Sequence, residues 1–174
     1  MDTNFILQTM KVIFWIIFIG LCIEAGAKLT SFIVTLYFNP EAASHLYMGL
    51  NLSELYDYNK GHFIGFSSFI IAISIMKAYL AYLVVKMFLK LDFEHPFTSQ
   101  TVTLVSKISN FALELGIVTL VANIYSQSLE KSGVPIPEIE WGTAEILFMA
   151  GIIFVISLIF KKGIEIQSEN ELTI

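Results

Sequence analysis

The chain has 174 residues, 56% hydrophobic and only 14% charged, with a mean hydropathy of +0.73; soluble domains carry roughly 25% charge, so a soluble globular protein is excluded. All ten cationic residues are lysines and the net charge is −5. This argues against nucleic acid as a direct partner, since arginine forks and a basic surface are the usual means of holding it. The single cysteine, Cys22, excludes a disulfide framework within the chain.

The apolar residues fall in four long runs, which predicts four membrane-spanning helices at 12–38, 63–89, 101–125 and 141–160. No cleavable signal peptide is expected, because Met1-Asp2-Thr3-Asn4 has no basic region and the first run exceeds a signal core. The first span carries Glu24 and Lys28 and ends at Asn39-Pro40. The following connection, 39–62, is expected to lie on the membrane surface through Leu55, Tyr56 and Tyr58. The second span carries Lys77 near its middle. Gly61 and Gly65 at its start permit a close helix approach. The next connection holds Pro96-Phe97-Thr98, where Thr98 or Ser99 can cap the third span. The third span carries Glu114, the fourth Glu145, and residues 161–174 form a tail.

Lysine asymmetry sets the orientation. Lys11, Lys86, Lys90, Lys107, Lys161 and Lys162 fall on one side, and only Lys60 and Lys131 on the other. Both termini are therefore expected in the cytoplasm, and the fold class is an all-α integral membrane four-helix bundle in the inner membrane.

Glu24, Lys28, Lys77, Glu114 and Glu145 form the first candidate site. A charge at a span centre costs about 2.5–3.5 kcal/mol on insertion scales, so pairing inside the bundle is expected. Counting along the spans places Glu24, Lys77 and Glu114 in a middle layer and Lys28 and Glu145 in an outer one. Glu24 precedes Lys28 by four residues, the favourable order for an ion pair on a helix. Helical spacing puts Ser67, Ser74 and Lys77 on one face of the second span, and Lys107, Asn110 and Glu114 on one face of the third. These faces are expected to turn toward a common axis. Lys28 should then lie near Glu145, and Lys77 near Glu24 or Glu114. Three carboxylates face two lysines, so one carboxylate has no lysine of its own. Internal staples and a functional polar site remain equal alternatives.

The histidines, His45, His62 and His95, fall in connections, and no clustered ligand spacing is present. No metal or cofactor is expected. No nucleophile–base constellation is visible, so no enzymatic activity is expected. The tail is acidic yet carries Ile164, Ile166, Leu172 and Ile174. Such aliphatics suggest docking, onto the chain's own connection or onto a cytoplasmic partner.

Pro96-Phe97-Thr98 and the tail, 162–173, carry a resemblance. The chain resembles bacterial four-span membrane proteins of the domain of unknown function 2975 family. These have a Pro-Phe-Thr in the inner connection and a tail like Lys-Arg-Gly-Val-Glu-Leu-Gln-Glu-Glu-Asn-Asp-Leu-Thr. Lys162 replaces the arginine and Ser168 an acidic residue. The resemblance brings no established activity. Its members often sit beside a small helix-turn-helix regulator, which implies a cytoplasmic transcription regulator as partner. The residues for such docking, or for self-docking, are Pro96, Phe97, Thr98, Ile164, Glu165, Glu169, Asn170, Glu171 and Leu172. The leading functional expectation is a regulatory or signalling membrane protein. The alternatives are an ion or proton transporter or channel subunit, acting as a homo-oligomer, and a structural subunit of a membrane complex.

Overall fold

The four prolines, Pro40, Pro96, Pro135 and Pro137, all stand between the long apolar runs. A proline inside a helix removes a hydrogen bond and clashes with the preceding turn, so these runs can be uninterrupted helices. In lipid a helix satisfies its own backbone polar groups. A computed structural model describes the backbone of residues 3–91 and 98–171 and the side chains of residues 5–91 and 98–166. Among the described residues every regular element is helical. The order is α1 (Thr3–Tyr37), two 3₁₀ segments (Pro40–His45 and Tyr47–Gly49), the short α2 (Ser53–Tyr58), α3 (Lys60–Lys90), α4 (Ser99–Lys131) and α5 (Thr143–Glu171). Phe5–Tyr37, Lys60–Lys90, Ser99–Lys131 and Thr143–Ile166 are long and apolar enough to cross a bilayer. The chain is thus an all-α, multi-pass membrane protein in contact with lipid.

Burial is unequal among these helices. In the most apolar stretch, 44% of residues are buried in α3 and in α4, against 6% in α1 and 11% in α5. α3 and α4 bury many of their apolar residues, whereas α1 and α5 bury few.

The chain packs as two compact units. The loop unit comprises Ile19–Ala78 and Ile117–Thr143. Its long connection is folded by asparagines. Asn39 Oδ1 accepts from Glu41 N at 3.0 Å, Asn51 Oδ1 from Ser53 N at 3.0 Å, and Asn59 Oδ1 from Gly61 N at 2.7 Å. The last of these caps α3. Leu52 N donates to Ala43 O at 2.8 Å and Leu46 N to Leu50 O at 2.9 Å, bending the segment back on itself. Leu46, Leu52, Leu55 and Tyr56 are buried as a result. The connection is therefore packed into its own unit: the Leu55 and Tyr56 side chains face its interior, and Tyr58 is exposed. Tyr56 and Phe32 both contact the buried Phe63 ring, at 5.1 and 5.9 Å between centroids. Trp141 packs edge-on against Phe66, and its Nε1 donates to Ser126 Oγ at 3.0 Å. Of the Gly61/Gly65 pair, Gly65 is the one against α4: a Cβ there would stand 3.0 Å from the Tyr125 hydroxyl.

The terminal unit comprises Met1–Phe18, Tyr79–Gly116 and Ala144–Ile174. Thr98 Oγ1 accepts from Thr101 N at 3.1 Å and so caps α4. Phe14 packs on Phe88, Phe18 on Tyr82, and Tyr79 edge-on against Phe111. Gly116 sits against α5: a Cβ there would run into the Leu147 side chain.

One face of α4 explains its packing. Ser109, Ala112, Thr119 and Ala122 are all nearly fully buried, and with Gly116 they form a stripe of small residues at helical spacing. Lipid provides no hydrophobic drive between helices, so small residues that allow close approach occupy the contacts.

Candidate functional site

α1 sets Glu24 and Lys28 one turn apart in the loop unit. Lys28 Nζ lies 2.5 Å from Glu24 Oε1 and donates to Ser74 Oγ of α3 at 3.0 Å. Ser74 in turn donates to Ile70 O at 2.9 Å. The side chains of Lys28 and Glu24 remain 22% and 31% exposed. The ion pair expected from i,i+4 spacing is formed, but it is not sealed away. Among the described residues no charged side chain is buried. The expectation of charges enclosed in the bundle is corrected accordingly.

Lys77 is half-buried on α3. Within the loop unit no carboxylate oxygen comes within 4.0 Å of its Nζ, so Glu24 does not pair with it. It lines a cleft of about 400 Å³ in the loop unit, together with Lys28, Ser74, Ile70, Ile73, residues 47–50 and residues 138–141. The lip of the cleft bends sharply. Met48 has φ 60° and Gly49 φ 77°. The left-handed region suits Gly49, whereas Met48 is held there against its preference. A smaller void of about 20 Å³ adjoins through the shared lining of Lys28, Tyr47, Leu50 and Ile70, and Ser67 also lines it. Ser67 is 5% exposed and its Oγ has no hydrogen-bond partner.

The other two carboxylates lie in the terminal unit. Glu114 stands one residue from the middle of α4 and is exposed, as are Lys107 and Asn110. The polar face of α4 is thus turned out of the protein, opposite to the expected common axis. The small-residue face takes the buried position instead. Glu114, Lys107 and Asn110 line an open groove of about 580 Å³ with Tyr79, Thr103, Ser106 and Lys161. Lys107 Nζ stands 5.8 Å from the Tyr79 ring centre. Glu145 is exposed and sits in the first turn of α5. A carboxylate there complements the positive end of the helix dipole. Among the described residues neither glutamate is in an ion pair.

The proposed docking residues divide. Pro96, Phe97 and Leu172 lie outside the described residues, and Thr98 is the cap of α4. α5 does not stop at Lys161-Lys162 but continues to Glu171. On that extension Lys162 Nζ bonds Glu165 Oε2 at 2.8 Å, Ile164 is half-buried and Ile166 is 49% exposed. Glu169, Asn170 and Glu171 belong to the helix, with side chains outside those described.

Sequence reasoning missed the small-residue stripe of α4 and the cleft. Ala112-x-x-x-Gly116 was a readable signal for the stripe. The cleft had none, because it joins segments about 90 positions apart, near residues 48 and 139.

A family model described as Protein of unknown function (DUF2975) matches residues 38–174, well over half of the chain and beginning just after α1. No curated protein and no solved structure matches.

Proposed function

The chain belongs to the DUF2975 family of proteins of unknown function, and we propose that it is a regulatory membrane protein without enzymatic activity, which holds a cytoplasmic regulator through its C-terminal helix and the α3–α4 connection. In this reading both termini are cytoplasmic and the protein sits in the inner membrane, as the lysine asymmetry favours. The Glu24–Lys28 pair is then an intramembrane ion pair. The partner is the small helix-turn-helix regulator that the family resemblance implies.

The observation that carries the reading is the extension of α5. Ten residues beyond Lys161 continue the helix to Glu171, about 15 Å at 1.5 Å per residue. A helix this short is marginal alone in water, but here it continues a long helix and is ordered beforehand. Preordering removes part of the entropy that binding must otherwise overcome. The extension also presents Ile166 beside Glu165, an apolar anchor with an acidic neighbour.

The test is co-purification from membranes of the full chain, a chain lacking residues 163–174, and Ile166→Glu. One cytoplasmic protein should accompany the full chain and be lost from both variants. Equal recovery from all three would overturn the reading.

The outward polar face of α4 favours a second reading, a homo-oligomeric ion or proton path. Glu114, Asn110 and Lys107 are exposed along one stripe, and a second copy would cover them. Proteoliposome flux abolished by Glu114→Gln would support it, and flux unchanged by that substitution would exclude it.

A further inference from the structure

The cleft of the loop unit is not used by the proposed docking of a cytoplasmic partner. Four segments build it: α1, α3, the 47–50 bend and the 138–141 connection. Its charges are unevenly matched. Lys28 is already held by Glu24 and Ser74. Lys77 has no carboxylate within 4.0 Å among the described residues. Glu138 and Glu140 line the same cleft, and neither is in an ion pair. The cleft therefore offers an unmatched cation on α3 and unmatched anions on a separate segment, with space between them.

The remaining lining narrows the ligand further. Met48, Leu50, Ile70, Ile73, Ile139 and Trp141 give apolar walls. The volume of about 400 Å³ falls in the range of small-molecule sites. Pro135 and Pro137 fix φ just ahead of Glu138, so its segment is held in an irregular, non-helical course rather than being drawn into α5. Ser67, almost wholly buried and without a hydrogen-bond partner, lies in the adjoining void and offers a donor on the same wall.

We infer that this cleft binds a zwitterionic phosphate-and-ammonium head group, its phosphate at Lys77 and its ammonium at Glu138 and Glu140. A purely anionic head would meet the two glutamates unfavourably. A purely cationic one would meet Lys77. Where the head is carried by a phospholipid, the apolar part lies against Ile70, Ile73 and Trp141. The same head chemistry occurs on an ethanolamine phospholipid and on free O-phosphoethanolamine.

The test uses the purified full chain in detergent. Dioleoyl phosphatidylethanolamine, phosphatidylglycerol and O-phosphoethanolamine are added separately, and bound species are counted by native mass spectrometry. The ethanolamine lipid should be retained in preference to the glycerol lipid. Lys77→Met should weaken retention at least about tenfold, because the phosphate loses a charge-assisted hydrogen bond. The Glu138→Gln/Glu140→Gln variant should keep its melting temperature and lose the preference for the ethanolamine head. These two glutamates are exposed, so this variant tests the assignment even if Lys77→Met fails to fold. Saturable binding of O-phosphoethanolamine that disappears in the glutamate variant would assign a soluble source, and retention of the lipid alone would assign the membrane. Equal retention of both lipids by the unmodified chain would overturn the inference, as would an unchanged preference in the glutamate variant. No residue in the test lies beyond Trp141, so its failure is distinct from failure of the cytoplasmic docking.

Discussion

α1 and α4 are both membrane-length helices with charged residues near their middles, and they handle those charges in opposite ways. α1 buries few of its apolar residues, and its Lys28 holds Glu24 and bonds Ser74 of α3. α4 buries a face of small residues and leaves Lys107, Asn110 and Glu114 uncovered. In water a polar stripe marks the outside of a helix. In lipid both faces compete for the interior, and what decides is how closely a neighbouring backbone can approach. For α1, Lys28 has a partner on α3, Ser74, and Glu24 is paired with Lys28. For α4 the Gly116 contact with Leu147 and the buried Ser109 and Ala112 take the interior.

The contrast can be broken at its strongest point first. Gly116→Leu drives a side chain into Leu147, and overpacking of this kind costs about 2–3 kcal/mol. Denaturation in detergent should show that loss, and a smaller one for Gly116→Ala. An unchanged midpoint for Gly116→Leu would mean that the small face of α4 is not its packing face.

Next comes the α1 pair. Lys28→Met leaves Glu24 without its cation and should cost about 1–2 kcal/mol, less than the ~3–5 of a fully buried pair because both side chains are partly exposed. Glu24→Gln in the same chain should recover most of it. A double variant as unstable as the single one would show that Lys28 acts through packing rather than through charge.

Trp141→Phe keeps the ring against Phe66 and removes the bond to Ser126. It should cost about 1 kcal/mol, read from the same unfolding curves. The smallest effect is expected at the uncovered face. Glu114→Gln should change the stability of a single chain by less than about 0.5 kcal/mol, as exposed substitutions usually do. If it destabilised the protein as much as Lys28→Met, the two helices would not differ in the way described.

Much of this molecule could be read before any coordinates. Hydropathy marked the membrane-length helices. Asn39-Pro40 marked the end of α1, Thr98 or Ser99 the cap of α4, and four-residue spacing the Glu24–Lys28 pair. Each of these depends on neighbours within a turn or two. The direction of α4 did not follow, because periodicity shows that a stripe exists and not which side is covered. The 39–62 connection is ambiguous for a related reason. Leu55 and Tyr56 suit a membrane surface and a folded core equally well, and the asparagine-anchored turns decide between them. The cleft and the void beside Ser67 depend on contacts across most of the chain, which no local pattern encodes.

The continuation of α5 past Lys161-Lys162 also has a mechanical side. From the buried Ala150 to Glu171 the helix is unbroken, a rod of about 32 Å at 1.5 Å per residue. Pivoting that rod by about 10° around Ala150 would sweep its far end through about 5 Å, close to one helical pitch. A small rearrangement in the bilayer thus becomes a displacement large enough for another protein to register. A label attached near Glu171 would read such movement with more sensitivity than one placed anywhere within the span.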